Sequence, residues 1–233
     1  MRGGVEFFMN FFDINYILFQ LPGYGVSAVE FIGTATGLLC VIYAAREKII
    51  SWPLGIVNAI FFFILFYQAR LYPDMLLQIY FFATSVYGWW RWTHPRDELE
   101  TDSKDELKVS RLENTELLAM TALTVAASIL AGSAAERFHL WLPFIFPEPA
   151  AFPYADSFVA VMSVTAQILL SIKKLEAWIL WVIVDAVAMT IYLQKGIYLV
   201  SAEYLVFGII ASSGLLNWNR IFSGYGAEAE AAE

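Results

Sequence analysis

The 233-residue chain has one cysteine, two histidines and little charge. With Cys40 alone, no internal disulfide is possible. His94 and His139 stand singly in loop-like stretches without metal-site spacing, and no Walker A, HExxH or GxSxG pattern occurs. These absences exclude ATP-driven pumping by this chain and the common metal and serine hydrolase chemistries. Charged residues are 15% of the chain, against about 25% in an ordinary soluble domain. So few charges cannot cover a globular surface, which excludes a disordered chain and argues against a soluble enzyme. There is no basic stripe for nucleic acid, and the last apolar stretch has no lysine to anchor a retinal.

What the chain has instead is apolar length. Hydrophobic types make up 59% and aromatics 17%. Seven apolar runs near 26–45, 49–69, 72–92, 114–133, 153–172, 175–194 and 197–218 each suit a membrane-spanning helix of about 20 residues. An earlier stretch, 5–21, is apolar but carries Asn10, Asp13 and Asn15. It is expected to be an interfacial helix, with a true span as the alternative. Residues 141–153 hold four prolines and are expected to form an aromatic-rich loop at the membrane surface. The expected organisation is an interfacial segment at 1–24, a three-helix bundle at 25–93 and an acidic linker at 94–113. A linker helix with an outer loop follows at 114–151, then a second three-helix bundle at 152–220 and an acidic tail at 221–233.

The net charge of −8 is local. Residues 97–116 hold eight acids against three bases, and the tail carries Glu228, Glu230 and Glu233. Both segments are expected to be solvated connectors, which imply no particular ligand. Ten of the fourteen Lys and Arg residues fall on the side of the acidic linker. The positive-inside rule then puts the N-terminus outside and the C-terminus in the cytoplasm.

Shifting the chain by 126 residues aligns 28–92 with 154–218 without a gap. Trp52/Trp178, Lys48/Lys174, Gln68/Gln194, Tyr72/Tyr198, Gly88/Gly214 and Trp92/Trp218 are among nine identities. Each copy holds three spans, so one intervening helix must restore direction. The expected fold is all-α integral membrane, with seven transmembrane helices in a 3+1+3 SWEET-like arrangement of parallel repeats.

Polar groups within apolar spans are costly unless paired, and so are functional candidates. By depth, at about 1.5 Å per residue, Asn58 and Asp185 lie near mid-span. Gln78, Glu203 and Tyr204 lie about a third of the way in. Trp178, Trp181, Asp185, Ala188 and Tyr192 form one helical stripe expected to face the bundle interior. Indole faces stack on flat rings and attract cations, and a carboxylate holds a cation or accepts hydroxyl hydrogen bonds. A planar, polar, cationic small molecule suits this set. The competing structural reading pairs Asp185 with Asn58 or Tyr204 to lock helices. Trp89, Trp90, Trp92 and Trp218 fit an interfacial belt, while Trp52 fits either the belt or the site. Glu30, Asp74 and Asp156 fit helix N-terminal positions, and Gly33, Gly37, Gly208 and Gly214 fit helix packing.

Three segments, WPLGIVNA at 52–59, QIYFFATSVYGWWRW at 78–92 and EAWILWVIVDAVAMTIYLQKGIY at 176–198, resemble the PnuC family of bacterial nicotinamide riboside transporters. The similarity extends over about 28–220, and the W-x-x-W-x-x-x-D core ending in Y-x-x-K is its most specific part. The resemblance implies a SWEET-like homotrimer in the bacterial inner membrane and no cofactor. It implies facilitated diffusion of nicotinamide riboside, trapped inside by a separate kinase. Trp178, Trp181 and Asp185 map onto the motif; Trp52, Asn58, Gln78 and Tyr204 complete the expected substrate-binding set. A carrier of a related vitamin such as thiamine or riboflavin, and a receptor that does not transport, are the alternatives.

Overall fold

The computed structural model describes residues 11–21, 24–69, 72–144, 149–150, 152–194, 196 and 198–231. Seven long helices carry the fold: α1 (Ala28–Ala45), α2 (Ser51–Gln68), α3 (Tyr72–Thr93), α4 (Asn114–Trp141), α5 (Pro153–Ser171), α6 (Glu176–Gln194) and α7 (Tyr198–Ala231). Six of them, all but α3, are long and apolar enough to cross a membrane. α4 runs two turns beyond its expected end. α7 continues through residues 221–231, where the sequence suggested a separate tail.

The N-terminal segment differs from expectation. Strand β1 (Ile17–Leu21) pairs antiparallel with β2 (Tyr24–Ser27), so residues 17–21 are not an interfacial helix. The Pro-Gly dipeptide between the strands is a turn signal that outweighs the apolar run before it. Residues 5–10 of that expected helix, and 145–148 and 151 of the expected surface loop, lie outside the described residues. β2 leads directly into α1, whose first turn is capped by the Ser27 hydroxyl accepting from the Glu30 N–H at 3.1 Å. Pro53 and Pro153 sit in the first turns of α2 and α5, where a missing N–H does no harm.

α1, α2 and α3 pack in sequence, as do α5, α6 and α7, with α4 against α5. The two groups meet where α1 touches α7 and where α3 touches α5. Those contacts exchange under the 126-residue shift, and the hydrogen bonds exchange with them. The Trp92 indole N–H on α3 donates to the Leu170 carbonyl at 3.2 Å. The Trp218 indole N–H on α7 donates to the Ala44 carbonyl at 3.1 Å. Trp52 meets Trp92 edge-on at 5.2 Å, and Trp178 meets Trp218 edge-on at 5.6 Å. Trp92 and Trp218 touch each other at 5.6 Å, closing a four-indole seam. Both are fully buried, so they do not belong to an interfacial belt, whereas Trp89 and Trp90 are exposed.

Under this seam lies a buried charge. Lys173 has no exposure, and its ammonium lies 2.8 Å from a Glu47 carboxylate oxygen, 3.9 Å from Glu106 and 4.6 Å from the Trp92 ring centre. Glu47 and Lys173 are themselves 126 residues apart. Each takes φ of 58° just past a helix end. There Lys48 N–H bonds Tyr43 O and Lys174 N–H bonds Leu169 O, the long bond of a Schellman cap that glycine normally supplies. The left-handed conformation costs an L-residue roughly 1–2 kcal/mol, and it places the two side chains where they pair.

The linker is not a wholly solvated connector. Leu107 and Val109 are buried, and Leu107 N–H bonds Trp92 O at 2.9 Å. Ser110 N–H bonds Lys173 O at 3.1 Å, while Leu175 N–H bonds Ser110 O at 2.9 Å. The alternation Leu107-Lys108-Val109-Ser110 buries one side of an extended segment across the seam. Glu106 gains its counter-charge from this placement, although burial pushes its carboxyl above its ordinary range while Lys173 pulls the other way.

Removing one member of a buried pair leaves an uncompensated charge, at roughly 3–5 kcal/mol. Lys173→Met should therefore lower the thermal midpoint of the purified protein sharply. Adding Glu47→Leu should restore most of the loss. A single variant that melts like the parent would show that the pair carries no stability.

Candidate functional site

α2, α3, α6 and α7, with α1 and α5, line a cavity of about 390 Å³ between the two helix groups. Trp52, Asn58, Gln78, Trp178, Trp181, Asp185 and Tyr204 all line it, so every expected site residue comes to one place. The stripe on α6 does face inward. Trp178, Asp185 and Ala188 are buried, Trp181 is half-buried, and Tyr192 stacks on Tyr204 at 5.5 Å and 13°.

The two helix groups contribute unequally. Under the 126-residue shift Gln78 corresponds to Tyr204, whereas Trp181 and Asp185 correspond to Gly55 and Ala59, and Asn58 to Val184. Asn58 donates to the Gly33 carbonyl at 2.8 Å, tying α2 to α1. Among the described residues Asp185 accepts no hydrogen bond and forms no ion pair, so it does not lock helices through Asn58 or Tyr204. Its Cβ instead packs at the Gly208 position of α7, where an added methyl would lie 3.4 Å away.

Glycine seats the deep indoles. A methyl at Gly214 would lie 2.8 Å from the Trp178 ring, and one at Gly88 would overlap the Trp52 ring. These seats bring Trp52 and Trp178 against both the seam and the cavity. Their indole N–H groups are buried without an acceptor, an expensive state for a polar group. Two unpaired donors thus belong to residues that line the cavity, which also presents two carboxylates (Asp185 and Glu203) and, among the described residues, no Lys, Arg or His. Asn58, Gln78, Gln167, Ser51, Ser85 and Thr34 add uncharged polar groups, and aromatic and aliphatic side chains form most of the rest. Such a space admits a flat, hydroxylated molecule and favours one carrying positive charge.

Several lining residues were absent from the expected set. Glu203 was noted for its depth only, and Ser85, Cys40 and Gln167 were not singled out. Gln167 is a polar group inside an apolar helix, a signal of the same kind that marked Asn58. Ser85 and Cys40 are small enough to sit on a packing face unseen; a methyl at Gly55 would lie 3.0 Å from one and 3.2 Å from the other.

Residues 27–220 match the family model described as nicotinamide mononucleotide transporter. The chain is 35% identical, over 90% of its length and 94% of the relative's, to the nicotinamide riboside transporter PnuC of Escherichia coli (strain K12). It is 22% identical to the riboflavin/roseoflavin transporter RibM of Streptomyces davaonensis, over 81% of this chain and 83% of the relative. A crystal structure of the vitamin B3 transporter PnuC superposes with a TM-score of 0.57 at 22% identity, covering 82% of this chain and 80% of that one. The two share a fold.

The glycine seats are directly testable. Gly214→Ala forces the Trp178 ring to move, and overpacking of this kind costs about 1–3 kcal/mol. Gly224→Ala meets open space and should change stability by less than about 0.5 kcal/mol. Thermal unfolding of the two variants side by side checks this; equal midpoints would mean that the indole is not held by its glycine.

Proposed function

The chain belongs to the nicotinamide mononucleotide transporter family, and from that premise we propose that it carries nicotinamide riboside by facilitated diffusion. It is a multi-pass membrane transporter, not an enzyme. The family description and the relatives' names differ in one phosphate, and the cavity's charge bears on the choice. Its lining holds Asp185 and Glu203 but no Lys, Arg or His. A mononucleotide would bring a dianionic phosphate into an apolar space with no counter-charge, against two acids. The riboside is a pyridinium cation joined to ribose. Stacking on Trp181, attraction to Asp185, and ribose hydroxyls accepting from the free indole N–H groups of Trp52 and Trp178 suit each of its parts.

Mechanism follows from what the chain lacks. With no Walker A pattern in its sequence, the chain in this reading is a uniporter that equilibrates its substrate, so net uptake needs removal inside. Phosphorylation by a separate kinase supplies that removal, because the charged product no longer fits the cavity. In this reading the first and second three-helix groups form a 3+1+3 SWEET-like pair that rocks about the cavity to give alternating access. The protein works in the bacterial inner membrane as a homotrimer, with the N-terminus outside and the C-terminus in the cytoplasm, the side that ten of fourteen basic residues indicate. A related vitamin is the second reading, favoured by the riboflavin-transporting relative.

Calorimetry on the purified protein decides among these. Nicotinamide riboside should bind at micromolar affinity, with the mononucleotide, thiamine and riboflavin far weaker. Trp181→Ala and Asp185→Ala should each weaken binding at least about tenfold, or 1.4 kcal/mol. No heat with nicotinamide riboside would overturn the substrate, and unchanged affinity in both variants would move the site. Counterflow in proteoliposomes separates a transporter from a receptor that only binds.

A further inference from the structure

A second cavity, of about 510 Å³, lies at the linker end of the molecule, away from the first. Its wall combines the end of α3, the linker, the turn between α5 and α6, and the far end of α7. Arg91, Arg96, Lys108 and Lys174 line it, and among the described residues Glu100 is the one acid in its lining. This sorting is unexpected from the local sequence. Residues 97–116 carry eight acids against three bases, yet a single one of those acids faces this space. The fold has turned the others elsewhere and brought bases in from three segments.

The bases are in different states. Arg91, buried at 6% exposure, bonds the Glu100 carboxylate at 2.5 Å and the His94 carbonyl at 3.2 Å. That guanidinium holds the Glu100 carboxyl below its usual range. Lys174 donates to the Arg111 carbonyl at 3.0 Å and keeps its charge uncompensated. Lys108 lies over the Tyr225 ring at 5.7 Å. Neither Arg96 nor Lys108 forms an ion pair among the described residues. Glu100 pairs with Arg91 and also accepts from the Arg96 backbone N–H at 3.2 Å, so four cations face one acid around a concavity walled by Tyr87, Phe222 and Tyr225. These four bases line one open concavity of ligand size rather than being scattered along the membrane surface.

We propose that this cavity is a binding site for a phosphate ester, held by Arg96, Lys108 and Lys174 with Arg91 and Glu100 as its fixed base. Arginine and lysine are the usual partners of phosphate oxygens. The same chemistry is presented by an anionic phospholipid headgroup at the membrane surface and by a free phosphorylated small molecule. The aromatic wall suits either the lipid's glycerol backbone or a nucleotide's ring. This assignment does not depend on which vitamin the first cavity carries.

The test uses the full-length protein. In neutral detergent, inorganic phosphate and adenosine monophosphate are titrated and binding is read by calorimetry. In nanodiscs, phosphatidylcholine alone is compared with a phosphatidylcholine–phosphatidylglycerol mixture, and lipid retention is read by native mass spectrometry. Binding of the soluble phosphates assigns a free ester, and selective retention of phosphatidylglycerol assigns a lipid headgroup. In either case the double variant Arg96→Gln/Lys108→Gln should weaken binding at least about tenfold, while Lys108→Arg should retain it. Neither residue holds an ion pair, so folding is preserved, and Arg96→Gln alone serves if the double variant is unstable. No binding in any arm, or parental binding by the glutamine variants, overturns the proposal.

Discussion

A lysine with no exposure needs a counter-charge, and that need organises the linker end of this protein. Lys173 belongs to the second helix group and Glu47 to the first, so their pair can form only when α1–α3 and α5–α7 are docked. The pair lies beneath Trp92, and Trp92 in turn reaches Leu170 while Trp218 reaches Ala44. Helix caps, indole seam and linker are therefore not separate features. The two caps adopt a conformation that glycine would take more easily, because a glycine could not supply the charge. The linker then completes the burial by adding Glu106 and covering the seam with Leu107 and Val109.

The same pairing explains how a symmetric frame builds an asymmetric site. Indole, glycine and cap positions recur at a spacing of 126 residues because both helix groups must present the same contacts to each other. Positions facing the cavity are released from that requirement. There Gly55 stands opposite Trp181 in the alignment and Ala59 opposite Asp185. At these two positions the first group contributes space and the second an indole and a carboxylate, while Trp52 and Trp178 keep the repeat. A flat, polar molecule bound off-centre suits that inequality, since a carboxylate at Ala59 as well as at Asp185 would add like charge to the same space.

How much of this was legible follows from the range of each signal. Helix number and position were readable, because an apolar run is a local property. The clustering of the candidate residues was also readable, since a carboxylate on a tryptophan stripe has few places to go in an apolar helix, and all seven residues line one cavity. The errors arose where long-range contacts decide. Trp92 and Trp218 carry the interfacial aromatic signal, and only their partners 78 and 174 residues away show that they are buried. The linker's acidity concealed Leu107 and Val109, two apolar residues that matter because Trp92 and Lys173 lie under them. At the N-terminus, a local turn signal redirected an apolar run into strand pairing.

Composition had made the chain acidic by eight charges, but position gives that acidity a different meaning. Much of the net negative charge lies in 97–116, with eight acids against three bases, and there Glu106 serves the buried lysine and Glu100 serves Arg91. Once those partners are spoken for, the fold presents two cavities of opposite character. The one between the helix groups has acids and indoles without a base, and the one at the linker end has bases with one acid already paired. A cation is favoured in the first and a phosphate in the second. Because the seam of tryptophans lies where the helix groups dock, a shift that opened the first cavity toward the linker would also strain the Lys173 pair and the linker laid across it. The constraint that stabilises the docked state thus also sets the resistance that any opening at the linker end must overcome.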